Sequence, residues 1–441
     1  MQDKRLHEIR DPIHAFIRFS SAERKVINSR PLQRLGSIHQ LALTYLVYPG
    51  ATHKRFEHSL GVMELADRVY GVITSKENLL NDSVRSVMPH DALGHEYWRE
   101  VLRMAALCHD VGHLPFSHAA EKELLPGGWD HERFTLEIIL GEELRPIWRE
   151  LHLEAEDVAK LAVGPRHYTK GYLFSEWESI MSEIIVGDAF GVDRMDYLLR
   201  DSLHTGVAYG KFDHFRLIDT LRILPKGGES TEPMLGVEHG GLQAAEGLLI
   251  ARYFMYSQLY IHHVRRIYDI HLREFLQKWL PGGRFSIRAD ELLATTDNEV
   301  LTAIGRVAAD TSHPAHDPAE RILHRRHYKR LYEQNPTDQS VTLRAVDAMF
   351  DALTESFGKD AVRRDTYSPK SASYDFPVLT RDGNVVSSIL LSRALQNLPA
   401  YQADCVFIDP DRFSEARDWC TQEKQRILTD QKKEDESHGE A

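Results

Sequence analysis

The stretch ALCHDVGHLPFSH, residues 106–118, sets three histidines and an aspartate within ten positions, among Ala106, Leu107, Val111, Leu114 and Phe116. Apolar neighbours of that kind are usually buried. Burying an ionisable side chain costs several kcal/mol unless a partner compensates. A chain carrying this stretch must therefore fold so that something offsets His109, Asp110, His113 and His118. Imidazole and carboxylate together in an apolar setting are what a hard-to-borderline divalent metal requires, and such an ion supplies the compensation.

Composition bounds the rest. At 441 residues, 42% hydrophobic and 27% charged, the chain reads as an ordinary folded protein with one large core or two to three domains. Its net charge of −12 argues against binding nucleic acid through bulk electrostatics, while leaving room for a small basic pocket. No apolar run approaches the roughly 20 residues that span a bilayer, and the opening MQDKRLHEIRDP lacks the apolar region of a signal peptide. Three scattered cysteines, Cys108, Cys405 and Cys420, imply no disulfide framework. A cytoplasmic protein without membrane contact is expected.

Apolar positions Phe56, Leu60, Met63, Val69 and Ile73 predict a helix over 56–73, and 99–112 and 180–203 read likewise. Residues 242–280 form a long, Gly-poor and nearly Pro-free helical stretch, with turns at LPGG (125–128 and 280–283) and LPKGG (224–228). Beyond residue 280 the segments VVSSILLSRALQNL and ADCVFIDPDRFSEARDWCTQEKQRIL predict short strands mixed with helices. The expected class is mainly α, a helical bundle core with a smaller α+β C-terminal portion. The expected division is 1–280, 281–428 and a flexible polar tail at 429–441.

The pair His109–Asp110 gains force from its company. HKRFEHSLGV offers His58 on a preceding helix and GVDRMDYLLRDSLHTGV offers Asp193 on a later one. Four ligands from three helices would leave positions open for water or a phosphate oxygen.

With RDPIHAFI (10–17), PLQRLGSIHQLALTYLVYPGATHKRFEHSLGV (31–62), LCHDVGHLPFSH (107–118), WDHE (129–132) and VDRMDYLLRD (192–201), the chain resembles the HD-domain phosphohydrolase superfamily. The nearest likeness is to the branch of the SAM-and-HD-domain deoxynucleoside triphosphate triphosphohydrolase, over roughly residues 8–275. No SAM domain is expected before the first shared motif at residue 10. The resemblance implies an HD helical core and the ligands His58, His109, Asp110 and Asp193. It implies that Arg55 holds an α-phosphate and that His113, His118 and His131 are catalytic, with Glu121 or Glu132 orienting them. Water would attack the α-phosphorus, and His118 or His131 would neutralise the leaving 5′-oxygen. Further matches give Arg194, Tyr197 and Asp201 to phosphate and sugar, Gln40 and Leu41 to the sugar's 3′-hydroxyl and 2′-carbon, and Tyr268 to packing against the 2′-position.

The pattern also departs from that branch. Tyr260 stands where an arginine would grip the terminal phosphate, leaving Arg265 or Arg266 as substitutes. Arg216, Arg325 and Lys329 match basic residues that bind activating nucleotides, but Asn28, Gly36 and Arg10 replace other members of that pocket. The run RILHRRHYKR (321–330) reads equally as a solvated helix face. The expectation is a metal-dependent hydrolase of deoxynucleoside triphosphates. The alternatives are an HD-type nuclease or phosphodiesterase acting on DNA ends or another nucleotide, and a nucleotide sensor without turnover. The ion would be Mn²⁺, Fe²⁺, Zn²⁺, Ni²⁺ or Co²⁺, with Mg²⁺ as a second ion against the phosphates. The partners expected are a nucleotide substrate, a nucleotide activator and further copies of the chain in a dimer or tetramer.

Overall fold

The period of 56–73 is realised as the helix Arg55–Ile73, which buries His58, Leu60, Val62, Met63, Leu65, Ala66 and Val69. The computed structural model describes residues 6–76, 78, 85, 87–89, 91–117, 121–168, 171, 173–227, 230–368, 375–399 and 401–439. Two compact units emerge. One comprises Met1–Met255, Arg284–Val300 and Ser373–Leu398; the other comprises Tyr256–Gly283, Leu301–Ala372 and Pro399–Ala441.

In the first unit, Arg55–Ile73 packs against Ala92–Cys108 on one side and Val192–Thr205 on another. Ala155–Val163 joins this layer to His131–Ile139 and Glu176–Val186. The stretch 180–203 is not one helix: Glu176–Val186 ends at Gly187, and Val192–Thr205 starts after Gly191. A Cβ at Gly187 would stand 2.3 Å from the Glu183 carbonyl oxygen, so the turn between the two helices depends on glycine. The helix expected through 112 ends at Cys108, leaving His109–His113 on a turn.

Two hairpins lie in the part expected to be mostly helical. Leu6–Asp11 pairs with Ala15–Ser20, Ile9 opposite Ile17. Leu221–Gly227 pairs with Ser230–Glu238, which continues through Pro377–Leu379 to Val385–Ser387 as a four-stranded sheet. Pro225 and Pro233 face each other in that second hairpin, beside a register shift. Proline removes a ladder donor, which is why the segment does not read as strand.

The second unit carries the α+β texture expected near the C-terminus. Ala403–Ile408, buried throughout, lies between Lys329–Glu333 and Val362–Tyr367 in an antiparallel sheet. Ala345–Phe357 and Phe413–Gly439 cover it through Val346, Met349, Leu353, Ala416 and Leu428. The polar segment 429–439 continues the last helix instead of forming a separate tail. Lys433–Asp430 at 3.2 Å and Lys432–Glu436 at 3.8 Å lie along the helix, and Thr342 donates to Asp435 at 2.6 Å. The stretch 242–280 divides into Leu242–Met255, a π-helical turn at Tyr256–Tyr260, and His263–Trp279. Among the described residues no helix is long and apolar enough to cross a membrane.

Two site-bearing helices approach closely at Gly61. A Cβ there would fall 2.0 Å from Asp196 Oδ1 and 2.4 Å from an Arg200 guanidinium nitrogen. Gly61→Ala is therefore expected to lower stability by about 1–3 kcal/mol and to reduce bound metal, read by thermal unfolding and metal analysis of the purified variant.

Candidate metal and phosphate centre

Three elements bring the expected ligands together. His58 lies in the first turn of Arg55–Ile73, His109 caps the end of Ala92–Cys108, and Asp193 lies in the first turn of Val192–Thr205. The ligand atoms of His58, His109 and Asp193 all lie within 4.8 Å of one another. His58 Nε2 is 3.1 Å and His109 Nε2 3.5 Å from Asp193 Oδ1. Asp110 stands beside them, its carboxylate 3.5 Å from His109 Nε2 and 3.8 Å from His58 Nε2.

The far side of each imidazole fixes which nitrogen faces the centre. His109 Nδ1 donates to the Ala106 carbonyl at 2.7 Å, leaving a buried Nε2 with no hydrogen bond of normal geometry. His58 Nδ1 donates to Asp196 Oδ2 at 2.8 Å. This carboxylate-or-carbonyl to histidine arrangement is how metal-binding imidazoles are oriented and made more basic. Asp196 itself is fully buried and accepts Arg200 through both oxygens at 2.8 and 2.9 Å, and His14 at 2.9 Å. Arg200 in turn reaches Asp11 at 2.9 Å. None of Asp11, His14, Asp196 and Arg200 is singled out by the sequence reading. The available signal is the spacing of VDRMDYLLRD, in which Asp196 follows Asp193 by one turn and precedes Arg200 by another.

The electrostatics of the cluster follow from its carboxylates. Burial works against a proton on His58, yet Asp193, Asp196 and Asp110 outweigh it and hold the imidazole up at about 10. His109 is raised in the same way, with burial overcome by Asp110 and Asp193. Against the pull of burial, Asp193 is held well below the usual carboxylate range by His109 and His58, and Asp110 by Arg55, His109 and His113. Ionised carboxylates facing two imidazoles whose outward nitrogens are already committed form a donor set suited to a divalent transition ion.

Arg55 and the other histidines border this cluster. Arg55 Nη1 donates to Asp110 Oδ2 at 2.5 Å and Nε to Ser117 Oγ at 2.8 Å. His113 Nε2 is 3.1 Å from Asp110 Oδ1, and its ring stacks on His131 with centroids 4.0 Å apart. His131 Nδ1 lies 2.7 Å from Glu121 and 3.1 Å from Glu132. The two rings are driven apart electrostatically. Burial, with Arg55 and His131 nearby, pushes His113 well below the ordinary histidine value. Burial opposes a proton on His131, but Glu121 and then Glu132 raise it. Splitting of this kind suits a proton donor beside a neutral partner. His118 lies outside the described residues.

The geometry agrees with the comparisons. The signature of the HD domain matches residues 55–198, and that of the HD associated region matches residues 212–353. The uncharacterized protein MJ1154 of Methanocaldococcus jannaschii is 31% identical over 385 residues, covering 85% of this chain and 72% of that protein. The chain belongs to the HD-domain phosphohydrolase superfamily. His58, His109, Asp110 and Asp193 all fall inside the HD-domain match, and the HD assignment with this donor set makes the chain a metal-dependent hydrolase. The uncharacterized Bacillus subtilis protein YwfO is 36% identical over 272 residues, 61% of this chain and 55% of that protein. Human deoxynucleoside triphosphate triphosphohydrolase SAMHD1 is 29% identical over 370 residues, 75% of this chain and 56% of that enzyme. The chain thus spans about half the length of those two relatives. A crystal structure of a hypothetical protein from Aquifex aeolicus superposes with a TM-score of 0.75 at 32% identity, covering 94% of this chain and 99% of that one.

The remaining HD-type assignments divide between the two units. In the first, the Gln40 backbone N–H donates to the His53 carbonyl at 3.0 Å, Gln40 Oε1 is buried without a hydrogen bond among the described residues, and Leu41 is buried. Asp201 is bound by His53 Nε2 at 2.7 Å, Tyr197 is half-buried, and Arg194 donates to the Gly187 carbonyl at 3.2 Å. Arg216 donates to the Gly240 carbonyl at 3.2 Å. In the second unit, Tyr268 is buried beside the His327 ring, and Arg265 donates to the Tyr260 carbonyl and lies 3.6 Å from Asp269. Residues 321–330 are not a helix face. The helix ends at Leu323, Arg325 takes a left-handed turn conformation with φ 57°, and Lys329 opens a strand. Arg321 pairs with Asp317 at 2.8 Å and Asp409 at 2.9 Å, and Arg326 with Asp411 at 3.0 Å, so much of that basic run is already compensated.

Asp196→Asn would leave His58 without its charged acceptor. Metal affinity is expected to fall roughly 10–100-fold, measured by competition with a chelating dye.

Proposed function

We propose that this HD hydrolase cleaves nucleoside triphosphates at the α-phosphorus, releasing nucleoside and inorganic triphosphate, with deoxynucleotides as its principal substrates. The observation that carries the reading is the convergence of three elements on one point: the His58–His109–Asp193 cluster, the Arg55 guanidinium, and the stacked His113–His131 pair, whose proton affinities are pushed in opposite directions. A bound divalent ion would polarise a phosphoryl oxygen and make water nucleophilic at neutral pH. His58, His109, Asp193 and Asp110 would hold it. Arg55 presents a forked donor suited to the α-phosphate, and its Nη1, which donates to Asp110, would be freed for phosphate were Asp110 to bind the ion. His131, whose hold on its proton Glu121 strengthens, would pass that proton to the departing 5′-oxygen as water attacks and the phosphorus–oxygen bond breaks, the water's own proton leaving with the triphosphate or to solvent. Gln40 and Leu41 meet the sugar, and the neutral His113 stacks against the acid without competing for its proton. The likeness to SAMHD1 supports this substrate class.

One observation favours a second reading. Arg265, the substitute for the arginine that would grip a terminal phosphate, is engaged by the Tyr260 carbonyl and by Asp269. A weak grip there suits a phosphodiester or a less phosphorylated nucleotide. Mn²⁺-loaded protein incubated with each dNTP and NTP, singly and mixed, separates the two. Deoxynucleoside plus triphosphate on ion exchange is the expected outcome; cleavage of single-stranded DNA without dNTP turnover would establish the second reading.

The acid assignment has its own test. Glu121 raises the affinity of His131 for its proton, so the protonated form survives to higher pH in the native protein. Glu121→Gln removes that charge, and the alkaline limb of the kcat/KM profile is expected to move to lower pH. An unchanged limb would exclude His131 as the acid.

A further inference from the structure

The loop that carries His113 is held in a conformation its own residues disfavour. Phe116 and Ser117 are consecutive, non-glycine and left-handed, with φ of 56° and 54°. Two bulky or β-substituted residues in that region persist only where the surroundings impose it. The imposing groups come from Arg284–Val300, in the HD associated region and outside the HD-domain match itself. Asp297, fully buried, accepts the Phe116 amide on Oδ1 at 2.8 Å. Its Oδ2 accepts both the backbone amide and Nδ1–H of His39, each at 2.7 Å. His39 Nε2 in turn accepts from the Lys54 ammonium at 2.7 Å, and the His39 and Phe116 rings lie parallel, 7° apart. Arg34 adds a second tie, donating to the His113 carbonyl at 2.8 Å and to the Thr295 carbonyl at 2.9 Å.

We propose that Asp297 is a positioning residue of the phosphohydrolase centre, pinning the His113–Ser117 loop to the His39–Lys54 bridge so that Ser117 Oγ and His113 meet Arg55 and Asp110 in register. This inference rests on the hydrolase reading above. The consequence is specific: Ser117 Oγ, delivered by the strained turn, is what holds Arg55 Nε at 2.8 Å, and Gln40 and Leu41 directly follow the pinned His39. Asp297 touches no metal ligand in the cluster. The associated region thereby contributes to catalysis without contributing a group to the reaction.

The test compares wild type with Asp297→Asn and Asp297→Ala in the full chain. Hydrogen exchange of peptides covering 111–117 is read without substrate, alongside bound Mn²⁺ and the kinetics of bis(p-nitrophenyl) phosphate hydrolysis. Exchange in 111–117 is expected to accelerate while the Arg55–Ile73 and Val192–Thr205 helices keep their protection and Mn²⁺ stays bound. The kcat is expected to fall at least about tenfold with KM within about twofold, more for Ala than for Asn, which keeps one acceptor for Phe116. Unchanged loop exchange, unchanged kcat, or loss of protection throughout the chain in both variants would overturn the proposal. If wild type turns over no phosphate ester, the hydrolase reading fails, and the exchange measurement still decides whether Asp297 pins the loop.

Discussion

A carboxylate with no access to solvent, Asp196, is the constraint on which the rest of the first unit depends. It accepts from His58, His14 and twice from Arg200, so every lone-pair direction is used. Arg200 carries the network to Asp11, whose other oxygen receives the amides of Ile13 and His14 and so shapes the turn of the first hairpin. Buried ion pairs of this kind add little net stability over apolar packing, but breaking one by removing a partner costs about 3–5 kcal/mol. Their value here is orientation: with Nδ1 committed to Asp196, His58 has only Nε2 to offer the centre. The glycine at 61 follows from the same demand, because the two helices must approach closely enough for Asp196 to reach His58.

Around that fixed imidazole the centre separates its tasks by environment. The carboxylates of Asp110 and Asp193 stay ionised against cationic neighbours, whereas the stacked His113 and His131 are pushed in opposite directions by Arg55 and Glu121. On the proposed reading, one pair of residue types gives both a ligand set and an acid–base set. The loop that joins them is left-handed at Phe116 and Ser117 and is bonded to Asp297 from the associated region.

Much of this was legible in the sequence, for identifiable reasons. Ligands are chemically conspicuous: histidine and aspartate inside apolar runs at 58, 109–110 and 193 demand compensation, and the helices that carry them show their period. The α+β texture of the later segments was visible in the apolar run at 403–408. Second partners were not. Asp196 and Asp297 look like surface aspartates until the fold places them opposite His58 and Phe116, 138 and 181 residues away in sequence. The hairpin at 221–238 was hidden by Pro225 and Pro233, whose local preference is overridden by the pairing of the flanking residues. The break in 180–203 turns on two glycines, Gly187 set against the Glu183 carbonyl and Gly191 against those of Gly187 and Ile185.

The central claim, that the ionised carboxylates and the Asp196-oriented His58 hold a divalent cation, is tested most directly by the protons exchanged on metal binding. Titration calorimetry with Mn²⁺ or Zn²⁺ at neutral pH, in buffers of different ionisation enthalpy, measures them. Because His58 is held protonated until an ion displaces the proton, binding should release at least one proton, and the release should disappear together with tight binding in His58→Ala. Tight binding at this centre with no proton released, or binding undiminished in His58→Ala, would contradict the account.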